Sequence, residues 1–128
     1  MRLLLDTHVL IWWVIGEAAL TTTAENAIRD PGNEVLVSAA SAWEIATKHR
    51  IGKLPQAGPL ALAFEASITS QGFTGLPIAI HHGAAAGRLP GPHRDPFDRM
   101  LIAQALAESL TLVSNERVFD RYGVARLW

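Results

Sequence analysis

Short apolar runs alternate with amphipathic segments along the whole chain. Runs at residues 3–5, 35–37 and 110–114 are typical of buried strands, and each run ends at a polar residue. A run at 124–128 predicts a last strand, whereas residues 76–78 contain Pro77 and suit only the edge or end of a sheet. Caps and helical spacing predict helices at 9–15, 24–28, 39–50, 60–70, 79–89, 96–107 and 115–122, with a loop at 54–58.

Two of the predicted helices carry apolar residues at a spacing that indicates which face they bury. In the helix at 39–50 the predicted buried stripe consists of Ala39, Ala42, Trp43 and Ala46. In the helix that begins at Pro96 it consists of Met100, Ala103, Leu106 and Ala107. Because strands alternate with helices throughout, the pattern predicts an α/β fold with a mostly parallel sheet, in a single domain spanning residues 1–128.

Composition narrows the class of protein. The apolar content of 49% is that of a packed globular domain, and no run approaches the length of a membrane helix. The N-terminus has no apolar run ending in a small-residue cleavage site, so no signal peptide is expected. The chain has no cysteine, which excludes disulfides and thiolate chemistry and is compatible with the cytoplasm. A net charge of -1 argues against broad electrostatic adhesion to nucleic acid but leaves room for a local basic patch.

Acidic residues follow the predicted strands at the edge where a parallel sheet forms its sites. Asp6 ends the first strand, Glu44 lies shortly after the second, and Glu116 lies just past the third. Asp98 lies in the first turn of the helix that leads into that third strand. Since parallel strands have their carboxyl ends on one edge, these acids can meet there. Converging carboxylates repel unless they are protonated or bridged by cations, and an oxygen-only set suits Mg²⁺ or Mn²⁺. Such ions activate water and stabilise charge in phosphodiester cleavage.

Each acid also has a purely structural interpretation. Asp6 can cap the first helix, and Glu44 can close a capping box with Ser41. Asp98 and Glu116 can be favourable first-turn charges at the positive ends of their helices. Their common position at the strand-to-helix edge favours the joint interpretation as a metal site.

Neighbouring polar residues can support such a site or serve the fold alone. Thr7 and Ser114 are candidate hydrogen-bond partners of the metal ligands, or ordinary capping hydroxyls. Asp95 suits the N-cap of the helix that begins at Pro96, yet it is close enough to join the site. Lys48 can contact a phosphate, or favour the negative end of its helix dipole. Arg99 can hold a phosphate or pair with a neighbouring acid, and the structural role is favoured.

The remaining basic and aromatic residues have weaker functional signals. His49, Arg50 and Lys53 have the same two alternatives as Lys48. His93 is expected to be structural, and the adjacent His81 and His82 should point to different helix faces and make a poor metal pair. The tryptophans are expected in the core or on a dimer surface rather than as base-stacking platforms: Trp12, Trp13, Trp43 and Trp128.

The chain resembles a known family in four blocks that cover nearly its whole length. The blocks are LLLDTHVLIWW, SAASAWEIATKHRIGKL, LPGPHRDPFDRMLIAQAL and LTLVSNERVFDRYGVARLW. They resemble the PIN-domain family and, within it, the VapC-like toxins of bacterial type II toxin–antitoxin pairs. The resemblance implies a three-layer α/β/α fold around a small parallel sheet. By motif, the family's first three acids fall on Asp6, Glu44 and Asp98. The fourth position, usually aspartate, falls on Glu116, which is a departure because the extra methylene shifts the carboxylate.

The resemblance also implies an activity and partners. The activity is that of an endoribonuclease dependent on Mg²⁺ or Mn²⁺, which hydrolyses phosphodiester bonds of RNA. The implied partners are a cognate antitoxin, whose tail lies near the acidic site, and a second copy of this chain. The apolar segment at 9–15 exceeds what one small core needs, so an exposed part of it suits a partner.

Other functions remain as alternatives. A phosphoacceptor receiver domain needs an acceptor aspartate at a middle strand end and a late lysine, but the second strand here ends at Ser38 and the late one at Ser114. A PIN-type RNA-processing nuclease that is not a toxin has identical chemistry. A non-catalytic PIN-like binding module is expected to have lost acids, whereas three are in place here and a glutamate stands at the fourth position.

Overall fold

Five short strands form one sheet in which every neighbouring pair is parallel. The structure is a computed structural model that describes residues 1–128. The strands are β1 (Arg2–Leu5), β2 (Glu34–Ser38), β3 (Thr74–Leu76), β4 (Thr111–Val113) and β5 (Arg126–Leu127). Their order across the sheet is β3-β2-β1-β4-β5, so β1 lies at the centre. The predicted parallel α/β fold is confirmed.

Helices cover both faces of this sheet and complete three layers. They are α1 (Thr7–Ile15), α2 (Thr22–Arg29), α3 (Ala39–Arg50), α4 (Gly58–Leu62), α5 (Phe64–Ser70), α6 (Ile80–Arg88) and α7 (Pro96–Ala107). Short 3₁₀ helices lie at Pro55–Ala57 and Arg117–Tyr122. None of the helices combines the length and apolar character that crossing a bilayer requires.

The continuous apolar sequence of the central strand follows from this layering. Leu3 and Leu5 point to one side of the sheet, where they pack in a core with Val9 of α1. Leu4 points to the other side, where it packs with Leu101 of α7. Successive side chains of a strand point to opposite faces, so a strand covered on both faces has no solvent-facing position for polar residues.

The predicted buried stripe of α3 is wrong. Ala39 and Ala46 are exposed and Trp43 is 62% exposed, while the buried residues of the helix are Ala40, Ser41, Glu44 and Ile45. Two of those buried residues are polar, because the inner face of α3 meets the polar edge of the sheet as well as the core. Apolar periodicity therefore selected the wrong side of the helix.

The predicted stripe of α7 is correct only in part. Ala103 is buried as predicted and Met100 is half-buried, but Leu106 is 45% exposed and Ala107 is also exposed. The helix instead buries five consecutive residues from 101 to 105. It packs against α6, α3 and β4, so most of its circumference is covered along this stretch.

Several boundaries differ from the sequence prediction. The helix predicted at 60–70 is two helices, because Ala63 has φ -139° and ψ 51°, outside the helical region. The predicted loop at 54–58 contains a 3₁₀ turn and the start of α4. Strand β3 lies just before Pro77, which has no N–H to donate to the sheet. The segment predicted as helix at 115–122 is the 3₁₀ helix Arg117–Tyr122.

Candidate metal centre

Asp6 is fixed at the carboxyl edge of the sheet by the two central strands. It follows β1 directly, is only 1% exposed, and its backbone N–H donates to the carbonyl oxygen of Val113 over 3.0 Å. Its side chain does not cap α1. Asp6 Oδ2 instead accepts a hydrogen bond of 2.7 Å from Ser114 Oγ. The capping alternative for Asp6 is therefore wrong, and its carboxylate belongs to a buried polar site.

Ser114 links two of the candidate acids through one hydroxyl group. Besides donating to Asp6, its Oγ accepts a hydrogen bond of 3.0 Å from the backbone N–H of Glu116. The hydroxyl is fully buried, since Ser114 is 0% exposed. This contact holds the backbone of Glu116 beside Asp6.

Glu44 reaches the same edge from α3. Ser38 caps this helix, because its Oγ accepts from the N–H of Ala40 over 3.0 Å. Ser41 Oγ instead shares a hydrogen bond of 2.9 Å with Thr7 Oγ1, which joins the first turns of α1 and α3. The capping-box alternative for Glu44 is therefore wrong, and the Thr7 hydroxyl bonds to Ser41 rather than to any of the four candidate acids.

The Glu44 carboxylate is buried with one oxygen satisfied and the other free. Glu44 is 3% exposed, and its Oε2 forms an ion pair with Lys48 one turn along α3. Its Oε1 is the one buried side-chain polar atom in residues 1–128 without a hydrogen-bond partner. An unpartnered buried carboxylate oxygen is costly, and a cation bound beside it would satisfy it.

Asp98 enters from the N-terminal turn of α7. Asp95 is the N-cap of this helix, and its Oδ1 accepts from the N–H groups of Phe97 at 2.9 Å and Asp98 at 3.3 Å. The N-cap interpretation of Asp95 thus matches the structure, and it leaves Asp98 free to point elsewhere. Asp98 is 9% exposed, and its Oδ2 lies 2.8 Å from His93 Nε2.

Burial and mutual repulsion make these carboxyls hard to ionise. Burial raises the pKa of Asp6 to about 6, opposed by the Ser114 hydrogen bond and reinforced by the charges of Glu116 and Glu44. Burial likewise raises the pKa of Asp98 to about 7, opposed by the His93 hydrogen bond and reinforced by the charges of Asp6, Asp95 and Glu116. These charges place Asp6, Asp98 and Glu116 near one another, but of the four candidate acids only Asp6 and Glu116 belong to a group of three ligand atoms that all lie within 4.8 Å of one another.

Arg99 holds the segment that precedes α7. Its Nε donates to the carbonyl oxygen of Ala86 at 3.2 Å, and one terminal nitrogen donates to that of His93 at 3.0 Å. The other terminal nitrogen donates to the carbonyl oxygen of Leu89. The guanidinium therefore serves the fold and keeps His93 against Asp98.

A buried amide sets the position of α7 against the strand ends. Ser38 Oγ donates to Gln104 Oε1 over 2.5 Å, and Gln104 Nε2 donates to the carbonyl oxygen of Pro77 over 3.2 Å. Gln104 is 0% exposed. The sequence analysis did not single out this residue, since a lone glutamine within an apolar helix carries no distinctive pattern.

Two histidines at the site had little or no sequence signal. His93, expected to be structural, contacts Asp98, as described above. His8 was not singled out, but a ring nitrogen of His8 and carboxylate oxygens of Asp6 and Glu116 lie within 4.8 Å of one another. The one available clue was that His8 lies two residues beyond Asp6, in the first turn of α1.

The expectation that His81 and His82 point to different helix faces is wrong. Their ring centroids are 4.2 Å apart, and both Nε2 atoms face Glu108 Oε1, at 3.7 Å and 2.9 Å respectively. Glu108 caps the far end of α7, so this group ties α6 to α7.

The tryptophans divide between the core edge and the surface. Trp12, Trp13 and Trp128 are partly buried against the core. Trp43 is exposed and packs edge-on against Phe97, with ring centroids 4.9 Å apart. In the apolar segment at 9–15, Ile15 is 37% exposed and the others are buried or half-buried, so less of it is open to a partner than the sequence analysis expected.

The donor set fits a divalent cation. Asp6, Glu44, Asp98 and Glu116 offer carboxylate oxygens at one edge, and no thiolate is available. A cation bound beside Asp6 and Asp98 would favour their ionised forms against the burial and the neighbouring charges that raise their pKa values, and a cation beside Glu44 would satisfy its Oε1. Oxygen-rich sites of this kind suit Mg²⁺ and Mn²⁺.

Comparisons with known proteins agree with this architecture. The sequence profile of the PIN domain matches residues 3–125. Ribonuclease VapC16 of Mycobacterium tuberculosis is 39% identical over 61 residues, which is 48% of this chain and 42% of that protein. The matched part therefore spans less than half of that ribonuclease.

Solved structures share the fold at low sequence identity. The structure of VapBC2 from Rickettsia felis, bound to a DNA fragment from their promoter, superposes with a TM-score of 0.70 at 16% identity, over 98% of this chain and 97% of that one. VapBC-1 from nontypeable Haemophilus influenzae gives a TM-score of 0.61 at 14% identity, over 98% and 96% of the two chains. Since the family profile covers nearly the whole chain and the parallel sheet agrees with it, this chain belongs to the PIN domain family.

Proposed function

We propose that this chain is a metal-dependent endoribonuclease and the toxin of a type II toxin–antitoxin pair. The observation that carries the proposal is the buried group of carboxylates that includes the unpartnered Glu44 Oε1. Burial and neighbouring negative charges raise the pKa values of Asp6 and Asp98, and a bound cation would offset that cost. The partial match to a curated ribonuclease supports RNA as the substrate.

Each acid has a proposed role. Asp6 and Asp98 hold one Mg²⁺ or Mn²⁺ ion, Glu44 completes or orients that shell, and Glu116 serves a second ion or orients a water. When bound, the ion supplies a water activated at neutral pH and stabilises charge on the leaving oxygen. Ser114 orients Asp6 through its 2.7 Å hydrogen bond, and Lys48 orients Glu44 through the ion pair.

The substrate approaches from the open side of the strand ends. Arg50 and Lys53 are exposed at the end of α3 and can contact phosphates of a single-stranded RNA. Lys48 is paired with Glu44, so its proposed role is to hold Glu44 rather than to bind a phosphate. Arg99 donates to three carbonyl groups and is assigned to the fold.

The proposed partners are a cognate antitoxin and a second copy of this chain, and the proposed location is the cytoplasm. The antitoxin proposal is supported by the solved VapBC assemblies that share the fold. For the homodimer, the candidate surface is the apolar hollow that includes Trp43 and Ile78, which are 62% and 39% exposed. Light scattering on the parent and on Trp43→Ala tests this: the parent is expected as a dimer and the variant as a weaker one.

Cleavage of RNA by the purified chain tests the enzymatic part of the proposal. The parent, Asp6→Asn and Asp98→Asn are each incubated with a pool of single-stranded RNA in Mg²⁺, Mn²⁺ or EDTA. Each active-site variant is expected to lose about 100-fold or more in rate, and EDTA to abolish cleavage. Asp30→Asn is the matched control, because Asp30 is an exposed carboxylate in the turn before β2. Equal cleavage by the parent and Asp6→Asn overturns the proposal.

Induced expression separates a toxin from the alternatives. The parent is expected to arrest growth and fragment RNA, and Asp6→Asn to do neither. A processing nuclease that is not a toxin would cleave RNA in vitro without arresting growth. A non-catalytic binding module would leave RNA intact in both experiments.

A further inference from the structure

Two groups of side chains in this fold offer imidazole and carboxylate ligand atoms close together. One is His81, His82 and Glu108 at the junction of α6 and α7, and the other is Asp6, His8 and Glu116 at the strand ends. In each group the ligand atoms lie within 4.8 Å of one another. Hydrogen bonding decides which group can accept a cation.

The group at α6 and α7 is already satisfied without a cation. His82 is 2% exposed, and its Nδ1 accepts a hydrogen bond of 2.9 Å from the N–H of Ala79. The neutral ring therefore carries its proton on Nε2, which faces Glu108 Oε1 at 2.9 Å. A cation at Nε2 would require that proton to leave or the bond to Ala79 to break, so His82 is a structural link between the helices.

The group at the strand ends has no such obstacle. His8 lies in the first turn of α1, two residues beyond Asp6. Asp6 Oδ2 is engaged by Ser114, which leaves Oδ1 available, and Glu116 is held beside it through its backbone. Glu44 lies near enough for its charge to act on Asp6, and its Oε1 is buried without a partner, but its carboxylate is not one of the three ligand groups that lie within 4.8 Å of one another.

We propose that His8 is a direct ligand of a divalent cation held together with Asp6 and Glu116, beside the position held by Asp6, Glu44 and Asp98. The inference rests on the proposed function, because Asp6 is shared between the two positions. Mg²⁺ strongly prefers oxygen ligands, whereas Mn²⁺, Co²⁺ and Zn²⁺ accept an imidazole nitrogen more readily. The His8 position therefore favours Mn²⁺ over Mg²⁺.

Pulsed electron paramagnetic resonance of the Mn²⁺-loaded protein tests this ligand directly. A coordinated imidazole gives ¹⁴N modulation of the Mn²⁺ echo, independent of any activity. The parent is expected to show this modulation, and His8→Gln to lose it. His81→Gln is the control and is expected to keep it, because His81 lies beside Glu108 at the junction of α6 and α7. Calorimetric titration is expected to show Mn²⁺ affinity reduced about tenfold or more in His8→Gln, with Mg²⁺ affinity little changed.

The outcomes separate this inference from the proposed function. If the parent binds Mn²⁺ and cleaves RNA but shows no nitrogen modulation, His8 is not a ligand and the nuclease proposal stands. Modulation that persists in His8→Gln also overturns the inference. If the parent binds neither Mn²⁺ nor Mg²⁺, both proposals fail, whereas binding of Mg²⁺ alone overturns only the inference about His8. Parent protein with ¹⁵N-labelled histidine repeats the test without a substitution, because ¹⁵N changes the modulation frequencies.

Discussion

The hydroxyl of Ser114 donates a 2.7 Å hydrogen bond to the carboxylate of Asp6, from 108 residues away in the sequence. A hydrogen bond to an ionised carboxylate is stronger than one between neutral groups and favours the charged form. In this site it opposes the effect of burial on the pKa of Asp6. The interaction is thus one means by which the fold keeps Asp6 available to a cation.

Replacing Ser114 by alanine tests this role. We expect Ser114→Ala to raise the pKa of Asp6 further and to weaken Mn²⁺ binding by about 10- to 100-fold at pH 7, as for other groups that orient metal ligands. The free energy of unfolding should fall by about 1–3 kcal/mol, because a buried hydrogen bond is lost. Calorimetric titration and chemical denaturation measure the two effects. Ser114→Thr retains the hydroxyl and is expected to bind Mn²⁺ nearly as the parent does.

The stability of the metal-free protein should depend on pH. Asp6 and Asp98 have folded pKa values of about 6 and about 7, both raised from 3.8. Between about pH 4 and pH 7 the folded state therefore binds more protons than the unfolded state, so the free energy of unfolding falls as pH rises. We expect the Tm in EDTA to be several degrees lower at pH 8 than at pH 5.

Mn²⁺ should reverse this trend, because it binds the ionised carboxylates. The rise in Tm on adding Mn²⁺ is expected to be larger at pH 8 than at pH 5. Asp98→Asn should be more stable than the parent at pH 8 in EDTA and gain less from Mn²⁺. A parent Tm that is unchanged from pH 5 to pH 8, with Mn²⁺ shifts equal at both, would contradict the prediction.

Lys48 should matter through its pairing with Glu44. Lys48→Met keeps most of the side-chain length but leaves the buried Glu44 carboxylate without its cationic partner. We expect the metal-free variant to lose roughly 1–3 kcal/mol of stability at pH 8, and saturating Mn²⁺ to restore part of this loss. Lys53→Met, at an exposed position beyond the same helix, should change stability little. Equal Tm values for the Lys48 and Lys53 variants would show that the ion pair contributes nothing.

Arg99 should be a stability residue whose loss also disturbs the site. Arg99→Lys removes the planar guanidinium that donates to the carbonyl oxygens of Ala86, Leu89 and His93. We expect a loss of about 2 kcal/mol of stability and reduced RNA cleavage, since His93 is no longer held against Asp98. Arg94→Lys is the control, because Arg94 is exposed in the same segment. A stable Arg99→Lys variant that has lost only RNA affinity would instead support a phosphate-binding role.

The acids at the strand ends could be predicted from the sequence, because each follows a short apolar run that is typical of a strand buried in a parallel sheet. The positions of Asp6 after β1 and of Glu116 after β4 could be predicted from the apolar pattern alone, together with the rule that parallel strands have their carboxyl ends on one edge of the sheet. The position of Asp98 followed from Pro96, which marks the first turn of α7.

The contacts around the acids could not be read from the pattern. Ser41 and Glu44 interrupt the apolar periodicity of α3, so that periodicity predicts a buried stripe of which Ala39, Trp43 and Ala46 are in fact exposed. His8 lies close to Glu116 and Gln104 bonds to Ser38, and the periodicity of apolar residues carries no information about such contacts between distant parts of the chain. Functional sites are where local sequence rules are expected to fail, because the fold there satisfies chemistry instead of packing.

The parallel pairing of β1 with β4 joins Leu3 to Thr111 and Leu5 to Val113. The candidate metal centre at the ends of these two strands therefore forms only when residues 2–5 and residues 111–113 have paired. A growing polypeptide that has exposed Asp6, Glu44 and Asp98 but not yet residues 111–116 has no assembled cation site. Contacts so distant along the chain also form late in folding. A cation site that depends on residues 111–116 would therefore be assembled only when synthesis of the domain is nearly finished.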